Sequence, residues 1–208
     1  MRVREMLAAV GLGAEAAGRF PRALSGGQKQ RASIARALSG LPPLVVCDEA
    51  VTALDVSIRS QVLNLLRGLQ AESGTSFVFI SHDLCTVGYM SDRIAVMYLG
   101  KVMEIGPAAR ILSSPGHPYT QALLSAVPRL QQGRYARSAI RLTGEPPSPM
   151  QRFTGCRFQK RCPLATERCR QEEPGLDPLD DGHRVACHYA PVSEAQMWAA
   201  HARGGQSA

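Results

Sequence analysis

The chain has 208 residues, of which 45% are hydrophobic and 20% are charged. This composition is that of a globular protein, and it excludes a chain that is disordered throughout. No apolar run approaches the roughly 20 residues that a membrane-spanning helix needs. The net charge of +7 is concentrated between Arg129 and Glu172, where ten basic residues stand against three acidic ones. Such a segment suits either an anionic partner or a solvated basic surface.

The first part of the chain predicts two helices and then a strand. A helix is expected over residues 2–10. A second runs to residue 39 behind a serine cap at Ser25, with apolar positions at helical spacing. Residues 44–47 are wholly apolar, which is the pattern of a buried parallel strand.

The middle of the chain continues this alternation. Residues 56–71 carry apolar side chains at helical spacing, and Gly74 ends that helix. Residues 76–80 predict a second buried strand, and residues 83–90 a short helix. A hairpin is expected over 94–105. Strands that alternate with helices indicate an α/β layer architecture.

The remaining chain predicts shorter elements. Two short helices are expected within 107–127, the second opening at His117-Pro118. Residues 131–151 are rich in arginine and proline and are interpreted as a linker. A terminal helix is expected over 193–203.

One string is suited to binding an anion. Two glycines behind the Ser25 cap expose unpaired backbone N–H groups at the positive end of a helix dipole. Taken alone, Ser25-Gly26-Gly27 is more often only the start of a helix. The residues around it favour function.

Four strings in order resemble the motifs of the ABC transporter ATPases. The resemblance implies the C-terminal part of a P-loop ABC ATPase domain of α/β class over 1–106. A cysteine-containing C-terminal region over 107–190 and a terminal helix and tail over 191–208 would follow. The four strings are Leu24-Ser25-Gly26-Gly27-Gln28, Leu44 to Glu49, Ala53-Leu54-Asp55 and Ile80-Ser81-His82-Asp83.

The same resemblance implies roles for the residues of these strings. Asp48 would hold Mg²⁺ through water, Glu49 would orient and polarise the attacking water, and His82 would contact the γ-phosphate of ATP. Nucleotide contacts are implied for Ser25, Gly26, Gly27, Gln28, Asp48 and Asp55. Two carboxylates after a buried strand agree with the place where doubly wound sheets bind ligands. In isolation, Asp48-Glu49 could also be a helix-capping pair.

The 208 residues contain no Gly-x-x-x-x-Gly-Lys-Ser/Thr string, and the only Gly-Lys pair is Gly100-Lys101. We therefore expect ATP not to bind usefully at the chain's own half-site. In this family two ATPase domains sandwich each nucleotide, so Ser25 to Gln28 could still cap an ATP held by an intact partner. The chain is interpreted as a fragment, from a truncated gene, a misplaced start codon or a split subunit.

Three further strings resemble the oligopeptide, dipeptide and nickel importer branch of that family. They are Asp55 to Leu63, Met97 to Lys101 and His117 to Thr120. The resemblance implies a second ATPase subunit and membrane permeases as partners, and indirectly a peptide-binding protein, at the cytoplasmic face of the plasma membrane. No nucleic acid is expected, because no recognition motif accompanies the basic residues.

Four of the six cysteines form a group with five, six and seventeen intervening residues. They are Cys156, Cys162, Cys169 and Cys187. Some members of the branch hold a [4Fe-4S] cluster on four such cysteines. Zinc bound by cysteines with His183 or His188, and metal-free thiols, remain alternatives. A chain that acts only as a metal-binding module, or that regulates an intact subunit, is the alternative to an energising subunit.

Overall fold

The computed structural model describes residues 2–52, 54–127, 139–145, 147–148, 150–151 and 153–204. The chain divides into two compact units, Met1–Met90 and Ser91–Ala208. The predicted boundary at residue 106 remains a prediction. No helix among the described residues is long and apolar enough to cross a membrane.

The first unit packs four helices against a two-stranded parallel sheet. Its apolar core is formed by the inward faces of the helices, with Val62 and Leu66 fully buried. In chain order the elements are α1 (Arg2–Ala9), α2 (Gly26–Leu38), β1 (Leu44–Asp48), α3 (Val56–Ser73), β2 (Ser76–Ile80) and α4 (Leu84–Met90), with short 3₁₀ turns at Ala14–Gly18 and Pro21–Ala23.

Local sequence signals account for the helix ends of this unit. Ser25 caps α2, as predicted. Gly74 ends α3 in a left-handed conformation with φ of +66°, which glycine adopts without the steric cost of a Cβ. Arg31 joins the helices: its guanidinium donates to the Val10 carbonyl (3.1 Å) and to the Gln61 side chain (3.0 Å).

The two strands of the first unit pair in parallel register, Leu44 with Ser76 through Asp48 with Ile80. Both strands were predicted, but the prediction that they are buried is wrong. Val46 and Val78 are 60% and 45% exposed, because only one face of this sheet is covered by the unit's helices. Because the two strands are parallel, their carboxyl ends lie side by side at one edge of the sheet.

The second unit is built on a four-stranded antiparallel sheet, whose strands in spatial order are β3 (Arg93–Tyr98), β4 (Lys101–Pro107), β6 (His183–Val185) and β5 (Asp177–Asp180). The predicted hairpin is confirmed as its first two strands. The elements are β3 (Arg93–Tyr98), β4 (Lys101–Pro107), α5 (Ala108–Ser113), α6 (Pro118–Ser125), α7 (Glu167–Gln171), β5 (Asp177–Asp180), β6 (His183–Val185) and α8 (Glu194–Gly204).

Polar groups are buried at the centre of the second unit. Glu104 on β4 is completely buried and accepts hydrogen bonds from the backbone N–H of Gly116 (2.6 Å) and His117 (3.1 Å). Its carboxylate also pairs with Nε2 of His183 on β6 at 2.7 Å. The carboxylate thus joins two strands of the sheet to the start of α6.

The structure confirms the predicted helices and strands of both units to within a few residues. It adds α7, β5 and β6, which the sequence did not indicate. These strands are short and contain Asp177, Pro178 and Asp180, so they form because β4 offers them a pairing edge. Most of the predicted 131–151 linker lies outside the described residues.

Candidate functional site

The start of α2 is shaped by a reciprocal pair of hydrogen bonds. The Gln28 N–H donates to Ser25 Oγ (3.2 Å), and the Ser25 N–H donates to Gln28 Oε1 (3.0 Å). This capping box fixes the first turn. The N–H groups of Gly26 and Gly27 belong to the first turn, where no intrahelical acceptor exists. Ser25 and Gly26 are exposed, so the positive end of α2 is open to an anion.

The glycines at positions 26 and 27 differ in whether the packing around them leaves room for a side chain. A Cβ on Gly27 would lie 2.6 Å from Cγ2 of Ile58, so glycine there lets α2 approach α3 closely. A Cβ on Gly26 would meet nothing closer than Leu54 at 3.9 Å. Packing therefore requires glycine at position 27 but not at position 26.

The two predicted carboxylates lie at the carboxyl end of β1. Asp48 is the last residue of the strand and is exposed. Glu49 continues the pairing through its N–H, which donates to the Ile80 carbonyl at 3.0 Å. Its φ of +46° is left-handed, a conformation that costs energy for a residue other than glycine. This turn presents the Glu49 side chain beside the end of β2.

Glu49 and His82 are in direct contact, although 33 residues separate them. Nδ1 of His82 lies 3.0 Å from Oε1 of Glu49. The other carboxylate oxygen of Glu49 accepts a hydrogen bond from the Thr52 hydroxyl. Bonds from Thr52 and then from His82 lower the pKa of Glu49. The carboxylate is therefore ionised at neutral pH and can only accept.

This acceptor determines the tautomer of His82. Because an ionised carboxylate accepts and cannot donate, Nδ1 carries the proton in the contact. Nε2 is then left for another partner, and the His82 side chain is 73% exposed. The arrangement supplies one carboxylate and one imidazole nitrogen at the open edge of the sheet.

Asp55 is the N-terminal cap residue of α3. It is exposed, and its side chain makes no capping hydrogen bond. A Cβ built on Gly26 would lie 3.9 Å from Cδ2 of Leu54, the residue before Asp55. The structure thus brings Glu49 and His82 together beside Asp48, and it places Leu54 near the start of α2.

Arg59 and Asp83 are site residues to which the sequence assigned no role. They form an ion pair at 3.1 Å. With His82 and Thr52 they line a cavity of about 70 Å³. Both lie inside or beside strings that carry the resemblance, but only the fold shows their contact.

The four grouped cysteines line one small cavity of the second unit, of about 20 Å³. His117, Phe158 and His188 also border it. Burial raises the pKa of Cys162 to about 12 and raises those of Cys156 and Cys187 as well. Without a metal, the thiols of Cys156, Cys162 and Cys187 are protonated at neutral pH.

The predicted metal centre is not supported by this arrangement. Within the described residues, no group of three or more His, Cys, Asp or Glu side chains is placed to hold a metal ion. His183, a predicted zinc ligand, is committed to Glu104. His188 borders the cavity, but its Nε2 lies 3.0 Å from the carbonyl of Glu172.

Comparison with known proteins gives two family matches. Residues 1–52 match the ABC transporter model, and residues 103–169 match the oligopeptide/dipeptide transporter C-terminal region. The dipeptide transport ATP-binding protein DppF of Haemophilus influenzae is 52% identical over 188 residues, which are 90% of this chain and 57% of that protein. The oligopeptide transport ATP-binding protein AppF of Bacillus subtilis is 50% identical over 188 residues, again 90% of this chain and 57% of that protein.

The di/tripeptide transport ATP-binding protein DppF of Pseudomonas aeruginosa is 49% identical over 189 residues, or 91% of this chain and 58% of that protein. This chain thus spans about half the length of the curated relatives it matches. The dimeric ATP-binding cassette MJ0796 bound to ADP and Pi superimposes with a TM-score of 0.46 at 34% identity, over 51% of this chain and 46% of that one.

Proposed function

Because the chain belongs to the ATP-binding proteins of ABC transporters, we propose that it is part of the subunit that energises peptide import. The observation that carries this proposal is the contact between Glu49 and His82 at the open edge of the β1–β2 sheet. Peptides are the proposed cargo, because the relatives at about 50% identity are named for dipeptides and oligopeptides.

In this proposal the first unit carries hydrolytic groups that act only where a P-loop from outside these 208 residues holds ATP beside them. Glu49 orients and polarises the attacking water through its ionised carboxylate, and His82 offers Nε2 to the γ-phosphate. Asp48 is the residue that would hold Mg²⁺ through water. Its exposed carboxylate at the strand end is of the donor type that Mg²⁺ prefers. The metal would neutralise charge on the phosphates.

The start of α2 serves a second nucleotide, held by another subunit. Ser25, Gly26, Gly27 and Gln28 present N–H groups and a hydroxyl at the positive end of the helix. Asp55, which follows Leu54 in the chain, is proposed to contact the same nucleotide. The site is therefore completed only in a pair of ATP-binding subunits.

ATP is not expected to bind usefully to these 208 residues alone, since they contain no P-loop string. A P-loop supplies backbone donors and a lysine to the phosphates. The loss of three charge-assisted hydrogen bonds, at about 1.5 kcal/mol or more each, weakens binding by at least about a thousandfold. Nucleotide-dependent behaviour of the chain should therefore require a partner.

The proposed partners are those of the family's importers. They are a second ATP-binding subunit, membrane permeases and, indirectly, a peptide-binding protein. The chain would then work at the cytoplasmic face of the plasma membrane, docked on the permeases.

The test is ATP-dependent association with an intact subunit. The chain is mixed with full-length Haemophilus influenzae DppF carrying a substitution that blocks hydrolysis, and the mass of the species is followed by sedimentation with and without ATP and Mg²⁺. A mixed complex that needs ATP is expected. A complex that forms equally well without ATP, or the absence of any complex, would contradict the proposal.

A pair of charge variants sharpens this test. Gly26→Asp places a carboxylate at the phosphate-facing end of α2, where the fold has room for a side chain and the helix dipole favours it. Gly40→Asp adds the same charge beyond the other end of α2, also in open space. We expect Gly26→Asp to weaken association at least about tenfold and Gly40→Asp to leave it unchanged. Equal effects would show that α2 does not face the nucleotide.

A second candidate function rests on the cysteine cavity. Four thiols from distant positions border one space, and thiolates are ligands for iron–sulfur clusters and for zinc. We propose that these four cysteines are ligands of a thiophilic metal, an iron–sulfur cluster before zinc, although the described side chains are not placed to hold one. Binding would require the thiols to change position and lose their protons. No step of transport is assigned to it.

Metal analysis of anaerobically purified protein tests this second function. Iron and acid-labile sulfide with visible absorption are expected, and all should be lost in Cys162→Ser. Cys85→Ser, which changes an exposed thiol outside the cavity, should leave them unchanged. Zinc in the absence of iron would show that the cysteines bind zinc and not an iron–sulfur cluster. A colourless protein free of both metals would end the proposal.

A further inference from the structure

We infer that Arg59 is a positioning residue that ties the loop after β1 to the loop after β2 and thereby keeps His82 against Glu49. The inference rests on the proposed function only for the hydrolytic roles of Glu49 and His82. The arrangement of the side chains can be tested without nucleotide.

The guanidinium of Arg59 reaches both loops at once. Nη1 donates to Asp83 Oδ2 at 3.1 Å, and Nη2 donates to the carbonyl of Leu54 at 3.3 Å. Arg59 lies in the first turn of α3, a helix of 18 residues that packs into the core. A rigid element thus holds the fork of donors between the two loops.

On one side, Asp83 transmits this contact to His82. Its carboxylate accepts from the N–H groups of Cys85 (3.0 Å) and Thr86 (3.3 Å) and from the Thr86 hydroxyl (2.9 Å). Asp83 therefore caps α4 while it pairs with Arg59. His82 is the adjacent residue, so its backbone is placed by the same carboxylate.

On the other side, Leu54 transmits the contact to Glu49. The Leu54 N–H donates to the Val51 carbonyl (3.2 Å), and the Thr52 N–H donates to the Glu49 carbonyl (3.3 Å). The turn that begins at Glu49 is therefore fixed at its far end by Arg59. With both ends held, Glu49 and His82 remain 3.0 Å apart although their side chains are 42% and 73% exposed.

The geometry requires a planar fork of donors. Lysine has a single charged nitrogen on a flexible stem and cannot hold a carboxylate and a carbonyl in two fixed directions. The Arg59 side chain is only 28% exposed, so solvent competes little for its two contacts. Loss of the fork should release the loops from each other without emptying the core.

The tautomer of His82 reports this coupling. At about pH 8.5, where histidine side chains are ordinarily neutral, the bond to Glu49 should keep the proton of His82 on Nδ1. Nitrogen-15 NMR of the imidazole distinguishes Nδ1–H from Nε2–H in the complete chain. We expect Arg59→Gln to lower the Nδ1–H share of His82 by about half or more, because the acceptor is no longer held in place.

Three further variants make the result decisive. Arg59→Lys should retain part of the Nδ1–H share of His82, because the lysine ammonium can still pair with the Asp83 carboxylate. Arg67→Gln, in the same helix but stacked on Tyr89, should leave His82 unchanged. Asp83→Asn can still cap α4 but loses the ion pair, so it should reproduce Arg59→Gln even if that variant folds poorly.

An unchanged His82 tautomer in Asp83→Asn, or an equal change in Arg67→Gln, would overturn the inference. The outcome is independent of the association experiment. If Arg59 controls the tautomer but the chain never associates with an ATP-bound partner, the positioning role stands and the proposed function fails.

Discussion

Each unit of the chain contains a pair of glutamate and histidine side chains, and the two pairs have opposite surroundings. In the first unit Glu49 and His82 lie 3.0 Å apart and are 42% and 73% exposed. In the second unit Glu104 and His183 lie 2.7 Å apart and are 0% and 1% exposed.

The two carboxylates differ in how much hydrogen-bonding capacity each has left for a further partner. Glu104 has its hydrogen bonds taken up by two backbone N–H groups and His183, so it holds the unit together. Glu49 is bound only by Thr52 and His82 within the described residues, and water or substrate can reach it. A contact of the same chemical type is structural when buried and available for chemistry when exposed.

The largest expected effect is that of Glu104→Gln compared with Glu49→Gln. In Glu104→Gln, the NH₂ group of the amide would face groups that are themselves hydrogen-bond donors. Buried groups would be left without partners, which should lower the free energy of unfolding by about 3 kcal/mol or more. Urea unfolding followed by the fluorescence of Trp198 in α8, the single tryptophan, measures it. Glu49→Gln should barely move that transition. Similar midpoints for the two variants would remove the distinction between the pairs.

Cysteine reactivity separates the two units in a second way. In metal-free protein the raised pKa of Cys162, about 12 against an ordinary 9.0, leaves about a thousandfold less thiolate for alkylation. Iodoacetamide at pH 8 followed by peptide mass spectrometry should label Cys85 first, since it is exposed, and Cys162 last. Rising pH should speed the labelling of Cys162 up to about pH 12. Equal labelling rates would show that the cavity is open to solvent.

His117 should make the second unit sensitive to acid. Burial lowers the pKa of His117 from 6.5 to about 4, so the folded state prefers the neutral ring. Stability is therefore complete above about pH 6.5 and is lost as the pH falls toward 4, by about 3 kcal/mol in all.

His117→Asn provides the control for this acid sensitivity. Asparagine can accept the Tyr119 N–H that His117 Nδ1 accepts at 2.9 Å, but it does not titrate. The variant should have a flatter profile of unfolding free energy between pH 6.5 and 4, measured by Trp198 fluorescence. A profile as steep as that of the unchanged chain would assign the sensitivity to other groups.

The smallest expected effect is at the start of α2. Ser25→Ala removes one acceptor of the capping box and should cost about 1 kcal/mol. Faster amide exchange of Gln28 and Lys29 would report it. Ser39→Ala, at the other end of the helix, loses only a bond to the Arg36 carbonyl and should change exchange at Gln28 little. Equal amide exchange rates of Gln28 in Ser25→Ala and Ser39→Ala would contradict the capping role of Ser25.

The sequence pointed to the exposed residues Glu49 and His82, which the structure places in contact, but not to the buried pair of Glu104 and His183. Ser25, Asp48, Glu49 and His82 stand in short ordered strings, and their strands and helices follow from periodicity and turn residues. Glu104 and His183 belong to no such string. Their pairing depends on β6, a three-residue strand that carries no periodic signal and exists only through its register with β4.

Metal binding shows the limit of spacing as a guide. The four cysteines were predicted to act together, and they do border one cavity, but the described side chains are not arranged to hold a metal. Spacing along the chain does not specify distances between sulfur atoms, which depend on packing around Phe158 and the neighbouring rings.

The sequence by itself determined the family, the order of helices and strands and the residues expected to meet nucleotide, because these depend on local pattern and on motifs. Only the tertiary structure decided which side chains touch across 24 to 79 residues: Arg59 with Asp83, Glu49 with His82 and Glu104 with His183. Such contacts are fixed by packing and register, and burial then determines whether a pair of polar side chains holds the fold or remains free to react.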